Sequence, residues 1–253
     1  MDANASQACA EATPFLLVPG LMCDSRIFAE QLAAFPKAIV ADYGDAASLT
    51  EMARRVLERT PERFALLGHS MGARVALEIY RQAPGRVQRL ALLSTGVHPV
   101  RSGEREKRYA LRDIGREKGM AALVDAWLPP MLDEAASQDT ALVRRLRAMC
   151  IEAGLARFEA QIEALLSRPE VEELLPRIAV PTLVAVGSED RWASPDQHAA
   201  FAALIPDARL VVIEGAGHML PAERPDELNV AIAEWLGASS VKLESDSKES
   251  VDE

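Results

Sequence analysis

The 253-residue chain predicts an α/β fold, built on a mostly parallel sheet of about six strands with helices on both faces. Three observations support this prediction. Short apolar runs that are typical of buried strands alternate with stretches of helical periodicity. The spacing between successive runs suits βαβ units, in which a helix crosses over between parallel strands. The alternation stops once, between residues 97 and 176, where the chain contains only helix-forming stretches.

Four strands are predicted in the first part of the chain. They are Phe15–Val18, Ala38–Ala41, Phe64–Leu67 and Leu90–Leu93. A helix from about Ser25 to Phe35 follows the first strand. The second strand is followed by a capping box, Ser48-Leu49-Thr50-Glu51, which opens a helix that ends near Pro61. Apolar residues at helical spacing predict the next helix over Ala73–Tyr80.

The α/β pattern resumes after the helical stretches. The helical stretches are Gly119–Trp127, Ala141–Ala153 and Leu155–Ser167. The pattern that follows them consists of the strand Thr182–Val186, a helix near Pro195–Leu204, the strand Arg209–Ile213 and a final helix Pro225–Leu236. We therefore expect a core formed by residues 14–96 and 177–237, with residues 97–176 inserted as a helical cap. Residues 1–13 would form an N-terminal tail, and residues 238–253 an acidic, disordered tail.

Composition excludes several classes of function. With 49% hydrophobic residues and a formal charge of −10, the chain suits neither nucleic acid nor an anionic membrane as a partner. No apolar stretch approaches the ~20 residues of a membrane span, and the N-terminus lacks the features of a secretory signal. The three cysteines, Cys9, Cys23 and Cys150, cannot all pair and match no metal site. A cytoplasmic location is the simplest interpretation.

The motif Gly68-His69-Ser70-Met71-Gly72 lies between a predicted strand and a predicted helix. Gly-x-Ser-x-Gly in this setting fits a nucleophile elbow, a sharp turn that lifts a serine hydroxyl above the edge of the sheet. The turn is too tight for side chains at the two glycines, and the nearby helix N-terminus favours a developing oxyanion. The alternative is a turn whose serine only caps the helix.

An acid and a base follow later strands of the predicted sheet. Asp190 comes after the strand Thr182–Val186, and His218 comes after Arg209–Ile213. Parallel strands present their carboxyl ends at one edge, where ligands bind in open α/β sheets. We therefore expect Ser70, Asp190 and His218 to meet there.

In its elbow motif and in the order serine, acid, histidine along the chain, the sequence resembles the α/β-hydrolase superfamily from Phe15 to Leu236. The resemblance implies an α/β-hydrolase fold and assigns catalytic roles. Ser70 would be the nucleophile, His218 the base, and Asp190 the group that orients the imidazole. The backbone amides of Leu21 and Met71 would form the oxyanion hole. The stretch Leu21–Phe28 also resembles the 3-oxoadipate enol-lactonase and small esterase branch.

Four residues compete with these assignments. Glu189 could replace Asp190 as the acid, but the Gly-x-x-Asp spacing favours Asp190 and leaves Glu189 as a solvated charge. His69 is expected to pack beside the site, because consecutive residues of the elbow point apart. His98 is expected in a polar loop, and His198 on the surface of a helix.

The cap would supply the substrate pocket and limit the access of water. Candidate substrate contacts are Trp127, Met131, Trp192 and Met219, with plain core packing as the alternative for most of them. Residues 101–118 carry seven basic residues against four acids. This segment is either a solvated helix face or a device that steers an acidic substrate, such as an enol-lactone of a dicarboxylic acid.

These observations lead to the hypothesis of a serine hydrolase acting on a small carboxylic ester, lactone or thioester. No cofactor or metal is expected, because the glycines do not form a dinucleotide loop and no metal-ligand spacing occurs. Two alternatives stay open. One is hydrolysis of a carbon–carbon bond in a β-diketone-like substrate with the same triad, and the other is a non-catalytic ligand receptor on the same fold.

One architectural expectation concerns the strand Ala38–Ala41. No hairpin precedes the first strand, so Ala38–Ala41 should lie at an edge of the sheet, with the elbow strand near the middle. Exposed edges are pairing hazards. We expect this edge to be very short, or covered by the N-terminal segment or by a second subunit, in which case the protein is a homodimer.

Overall fold

A computed structural model describes residues 13–237 of the chain. Of the two predicted tails, residues 1–12 and 238–253 lie outside the described residues. The strands are β1 Phe15–Val18, β2 Ala38–Val40, β3 Phe64–His69, β4 Val87–Leu93, β5 Thr182–Gly187 and β6 Ala208–Ile213. The helices are α1 Ala29–Ala34, α2 Leu49–Arg59, α3 Met71–Gln82, α4 Glu104–Trp127, α5 Glu134–Gln138, α6 Thr140–Ala153, α7 Leu155–Leu166, α8 Pro195–Ala202, α9 Leu220–Glu223 and α10 Pro225–Leu236. Short 3₁₀ turns occupy Ser25–Phe28, Pro84–Arg86, Pro129–Met131 and Leu175–Arg177.

The six strands form one parallel sheet in the order β2-β1-β3-β4-β5-β6. This confirms the predicted sheet, with the elbow strand β3 near the middle and β2 at an edge. β2 has three residues, so the edge that it exposes is short, as expected. The other expectation, that the N-terminal segment covers the β2 edge, falls on residues 1–12, which lie outside the described residues.

The central strands are apolar on both faces because helices cover both sides of the sheet. Every residue of β3 and of β5 is buried. This burial explains why these strands are continuous apolar runs rather than alternating ones. Because the strands are parallel, all six end at the same edge of the sheet, and the loops that leave them there carry the residues of the candidate site.

Between β4 and β5 the described chain contains only helices and turns. We refer to residues 94–181 as the helical segment. The sequence predicts a helix over Gly119–Trp127 and keeps a solvated helix face as one option for residues 101–118, and in the structure α4 includes Glu104–Trp127 with a break at Gly119. Gly119 has φ 83° and ψ 168°, a conformation that glycine adopts without strain. Residues 104–118 of the basic stretch therefore form the part of α4 that precedes the break.

Within residues 13–237, none of the helices is both long enough and apolar enough to span a bilayer.

Candidate active site

Ser70 occupies the turn between β3 and α3. Its φ of 55° and ψ of −118° are unusual for a residue with a side chain, and this is the strained conformation of a nucleophile elbow. The two glycines of the motif are required by close approach. A Cβ on Gly68 would lie 2.4 Å from the carbonyl oxygen of Gly72, and a Cβ on Gly72 would lie 2.0 Å from that of Val18.

Hydrogen bonds hold the backbone of Ser70 to β4 and to the loop after it. The Ser70 amide donates to the carbonyl of Leu93 at 2.9 Å, and the Thr95 hydroxyl donates to the carbonyl of Ser70 at 3.0 Å. These two hydrogen bonds fix the backbone of the turn and leave the Ser70 hydroxyl available for other contacts.

The Ser70, His218 and Asp190 side chains form one hydrogen-bonded chain. Ser70 Oγ lies 2.8 Å from His218 Nε2, and His218 Nδ1 lies 2.9 Å from Asp190 Oδ2. A carboxylate only accepts hydrogen bonds, so Nδ1 carries the proton and Nε2 is free to accept the proton of Ser70. The three residues predicted to meet at the carboxyl edge of the sheet do meet there.

Asp190 is 2% exposed and stays ionised in this setting. Burial by itself raises the pKa of Asp190, but attraction by His218 and hydrogen bonds from His218 and from the Ala193 and Trp192 amides lower it below its usual range. Glu189 is exposed and accepts a hydrogen bond from the adjacent Ser188 hydroxyl. The structure thus places Asp190, and not Glu189, against the imidazole.

Glu223 fixes the loop that carries His218, and sequence reasoning missed it. Its partly buried carboxylate accepts hydrogen bonds from the amides of Gly217, Met219 and Asp133 at 2.8–3.0 Å. Burial raises the pKa of Glu223, and these three hydrogen bonds oppose the rise. The His218 amide in turn donates to the carbonyl of Met131 at 2.7 Å. His218 is therefore tied to the helical segment as well as to its own loop.

His69 is buried next to His218, as expected, with ring centroids 5.6 Å apart. Its Nε2 lies 2.8 Å from the carbonyl oxygen of His218, so Nε2 carries the proton. Burial, and then the proximity of His218, lower the pKa of His69 to about 4. His69 is therefore a neutral group that supports the backbone of His218.

The loop after β1 borders the site, and two long-range hydrogen bonds hold it. The Tyr43 hydroxyl donates to the carbonyl of Pro19, and the Met22 amide donates to Gln161 of α7 at 2.9 Å. In the described part of the chain, the amides of Leu21 and Met71 have no protein acceptor. Both residues line the same cavity as Ser70.

One prediction about a rival histidine was wrong. His198, expected on the surface, is 0% exposed. Its Nδ1 donates to the carbonyl of Ser194, and its Nε2 accepts from the Thr95 amide at 3.0 Å. Phe201, three residues later and so on the same face of α8, is also buried, and this spacing was an available signal. His98 lies in a loop at the rim of the site.

A cavity of about 320 Å³ lies between the sheet edge and the helical segment, and Ser70 and His218 line it. Of the predicted substrate contacts, Trp127, Met131 and Trp192 line this cavity, whereas Met219 does not. Met219 is 1% exposed and belongs to the core, because the turn into α9 directs its side chain inward. Sequence reasoning missed two arginines of the cavity wall, Arg74 and Arg168.

Across residues 13–237, His, Cys, Asp and Glu side chains form no group of three or more that could hold a metal ion.

A family model described as serine aminopeptidase, S33, matches residues 39–225, about three quarters of the chain. The chain belongs to this α/β-hydrolase family. It is 26% identical to the N-formylmaleamate deformylase of Pseudomonas putida over 203 residues, which cover 77% of this chain and 71% of the relative.

Solved structures have the same fold. A thermophilic esterase from Thermogutta terrifontis, solved with malate bound, matches with a TM-score of 0.82 at 28% identity, covering 89% of this chain and 90% of the esterase. The enol-lactonase from Burkholderia xenovorans matches with a TM-score of 0.77 at 24% identity, covering 89% and 92%. The chain is therefore an α/β-fold hydrolase.

Proposed function

We propose that this hydrolase cleaves a small carboxylic ester, lactone or thioester through an acyl-enzyme. The observation that supports this proposal is the hydrogen-bonded chain Ser70–His218–Asp190, of which Ser70 and His218 line the cavity of about 320 Å³. The esterase and the deformylase to which the chain is similar act on acyl groups according to their names, which agrees with this class of reaction.

In the first half of the reaction, Ser70 Oγ attacks the substrate carbonyl carbon while its proton passes to His218 Nε2. Asp190 keeps Nδ1 protonated and stabilises the imidazolium. The carbon–heteroatom bond then breaks, and His218 gives the proton to the leaving alcohol or thiol. In the second half, water attacks the acyl-enzyme, its proton passes to His218, and the carboxylic acid leaves as Ser70 regains its proton.

The carbonyl oxygen gains negative charge in each tetrahedral intermediate. We propose that the amides of Leu21 and Met71 donate to this oxygen. Both amides lack a protein acceptor among the described residues, and both belong to residues that line the cavity beside Ser70.

The cavity limits the size of the substrate. A volume of about 320 Å³ is at the small end of ligand pockets, which run from roughly 300 to 1,000 Å³. Trp127 and Met131 supply apolar walls from the helical segment, and Trp192 is half exposed beside His218. We propose that the helical segment acts as the cap that excludes water around the acyl group.

The first test is labelling with a fluorophosphonate, followed by assays on a panel of esters, lactones, thioesters and a β-diketone. The wild type should be labelled at Ser70, and Ser70→Ala should lose both labelling and hydrolysis while it keeps the fold. Ser137→Ala, at an exposed serine of the helical segment, is the control and should behave like the wild type. Absence of labelling would favour the receptor alternative, and cleavage of the β-diketone alone would favour carbon–carbon hydrolysis.

A further inference from the structure

The lining of the cavity contains more basic than acidic residues, although the chain as a whole is acidic. Five basic residues and one acid line the cavity: Arg74, Arg101, Lys107, Arg108, Arg168 and Glu104. A formal charge of −10 over the chain makes this concentration of positive charge at the site unexpected. Some of these cations already have anionic partners within the protein.

Glu104 neutralises two of the arginines. Its carboxylate binds Arg168 at 2.6 Å and Arg108 at 2.8 Å. Arg168 also donates to the carbonyls of His98, Pro99 and Leu165. All of its donor groups are therefore engaged, and Arg168 holds the helical segment together.

Arg74 is different. It is 4% exposed, and its Nη2 donates to the carbonyl of His98. Its Nη1 is buried without a hydrogen-bond partner, and no carboxylate among residues 13–237 lies within ion-pair distance of it, although Glu104 and Glu172 attract it from further away. Arg74 is thus a buried cation whose one hydrogen-bonded partner among these residues is a neutral carbonyl, an arrangement that costs free energy unless an anion completes it.

Burial, and then repulsion by Arg168, lower the pKa of Arg74 to about 9. The guanidinium therefore stays charged at neutral pH. An unpartnered donor of a charged guanidinium that lines a cavity is suited to a carboxylate, which arginine binds through two parallel hydrogen bonds.

The position of Arg74 relates this donor to the reaction. Ser70 directly precedes α3, and Arg74 is the fourth residue of that helix, ~6 Å further along its axis. Both residues line the same cavity. A group bound at Arg74 is therefore separated from the carbonyl attacked by Ser70 by only a few carbon atoms.

We infer that Arg74 binds a free carboxylate of the substrate, which makes the substrate an ester, lactone or thioester of a short dicarboxylic acid. This inference rests on the proposed function and narrows it. Arg74 acts as a specificity-determining residue, and Arg101 and Lys107 in the same lining attract the anionic substrate to the cavity.

The test compares two substrates that differ only in charge: the mono-4-nitrophenyl ester of adipic acid and the ester in which an amide replaces the free carboxylate. The measured quantity is the ratio of their kcat/KM values. The wild type should prefer the acid by about 10- to 100-fold, as expected for a hydrogen-bonded charge. Arg74→Gln should reduce this ratio at least tenfold, and Arg74→Lys, which keeps the charge, should restore part of it.

Arg81→Gln is the matched control. Arg81 lies two turns further along α3 and does not line the cavity, so the ratio should stay at the wild-type value. A wild type that hydrolyses the amide as well as the acid would overturn the inference, whether or not Arg74→Gln folds. A ratio that is unchanged in folded Arg74→Gln would also overturn it. If the wild type is labelled by the fluorophosphonate but hydrolyses both substrates equally well, this inference alone is refuted. If the wild type is not labelled at all, the proposed function is refuted.

Discussion

At the scale of single residues, the environment of a carboxylate decides whether it can orient a base. Asp190 and Glu189 are neighbours in the chain, yet one is buried against His218 and the other points to solvent. Two backbone amides and the imidazole surround the Asp190 carboxylate and keep it ionised in a buried place. Glu189 has none of these partners.

Asp190→Asn should therefore lower kcat for ester hydrolysis by on the order of 10⁴, because an amide at this position stabilises the wrong tautomer of His218. Glu189→Gln is the matched control and should stay within about twofold of the wild type, since solvent already screens its charge. Steady-state kinetics on one activated ester would measure both. The assignment of the acid is wrong if Glu189→Gln proves the more damaging change.

At the scale of elements, the site depends on contacts between the helical segment and loops of the sheet. Gln161 on α7 accepts the hydrogen bond of the Met22 amide, and Met131 accepts that of the His218 amide. These two contacts join the segment to the loop proposed to hold the oxyanion and to the loop that carries His218. The helical segment therefore positions the site in addition to lining it.

Gln161→Leu should test this positioning role. The change leaves the buried Met22 amide without an acceptor, which costs about 1–3 kcal/mol of unfolding free energy. If the loop then shifts, kcat should fall about tenfold or more while KM changes less, because the oxyanion forms only along the reaction path. Gln138→Leu, at an exposed glutamine of α5, is the control. Equal falls in kcat for both variants would argue against a specific role for Gln161.

At the scale of the whole molecule, an ion pair between the buried Arg168 and the partly buried Glu104 ties the helical segment together. The Arg168 side chain is 3% exposed and joins Glu104, at the start of the segment, to Leu165 near its end. Burial raises the pKa of Glu104, but hydrogen bonds from Arg168 and Arg108 outweigh it and lower the pKa from 4.5 to about 2. This cluster links parts of the chain more than sixty residues apart.

Arg168→Met should lower the free energy of unfolding at pH 7 by about 3 kcal/mol, since it removes one partner of a buried pair. Arg147→Met breaks an exposed pair with Asp125 in the same segment, and it should cost less than about 1 kcal/mol. Urea denaturation of both variants and the wild type would measure these losses. Similar losses in the two variants would contradict the role assigned to Arg168.

The same cluster predicts a dependence on pH. A carboxyl group whose pKa is lowered on folding stabilises the protein above its unfolded pKa, and this contribution is lost as the pH falls through the folded value. Glu104 should therefore stabilise the fold fully above about pH 4.5 and lose this effect towards pH 2. The stability difference between the wild type and Arg168→Met should narrow over that range. A constant difference would show that Glu104 is not the partner that matters.

The sequence by itself determined the order of strands and helices, the parallel sheet, the elbow at Ser70 and the meeting of Ser70, Asp190 and His218. It could do so because strand and helix periods are local, and because the carboxyl ends of parallel strands share one edge. Only the tertiary structure decided which groups surround them. Periodicity tells which face of an element is buried but not what covers that face. The contacts of Glu223 with Asp133, of Gln161 with Met22 and of Arg74 with His98 join elements that are apart in the chain, so they could not be predicted. The burial of His198, in contrast, had a local signal in its spacing to Phe201.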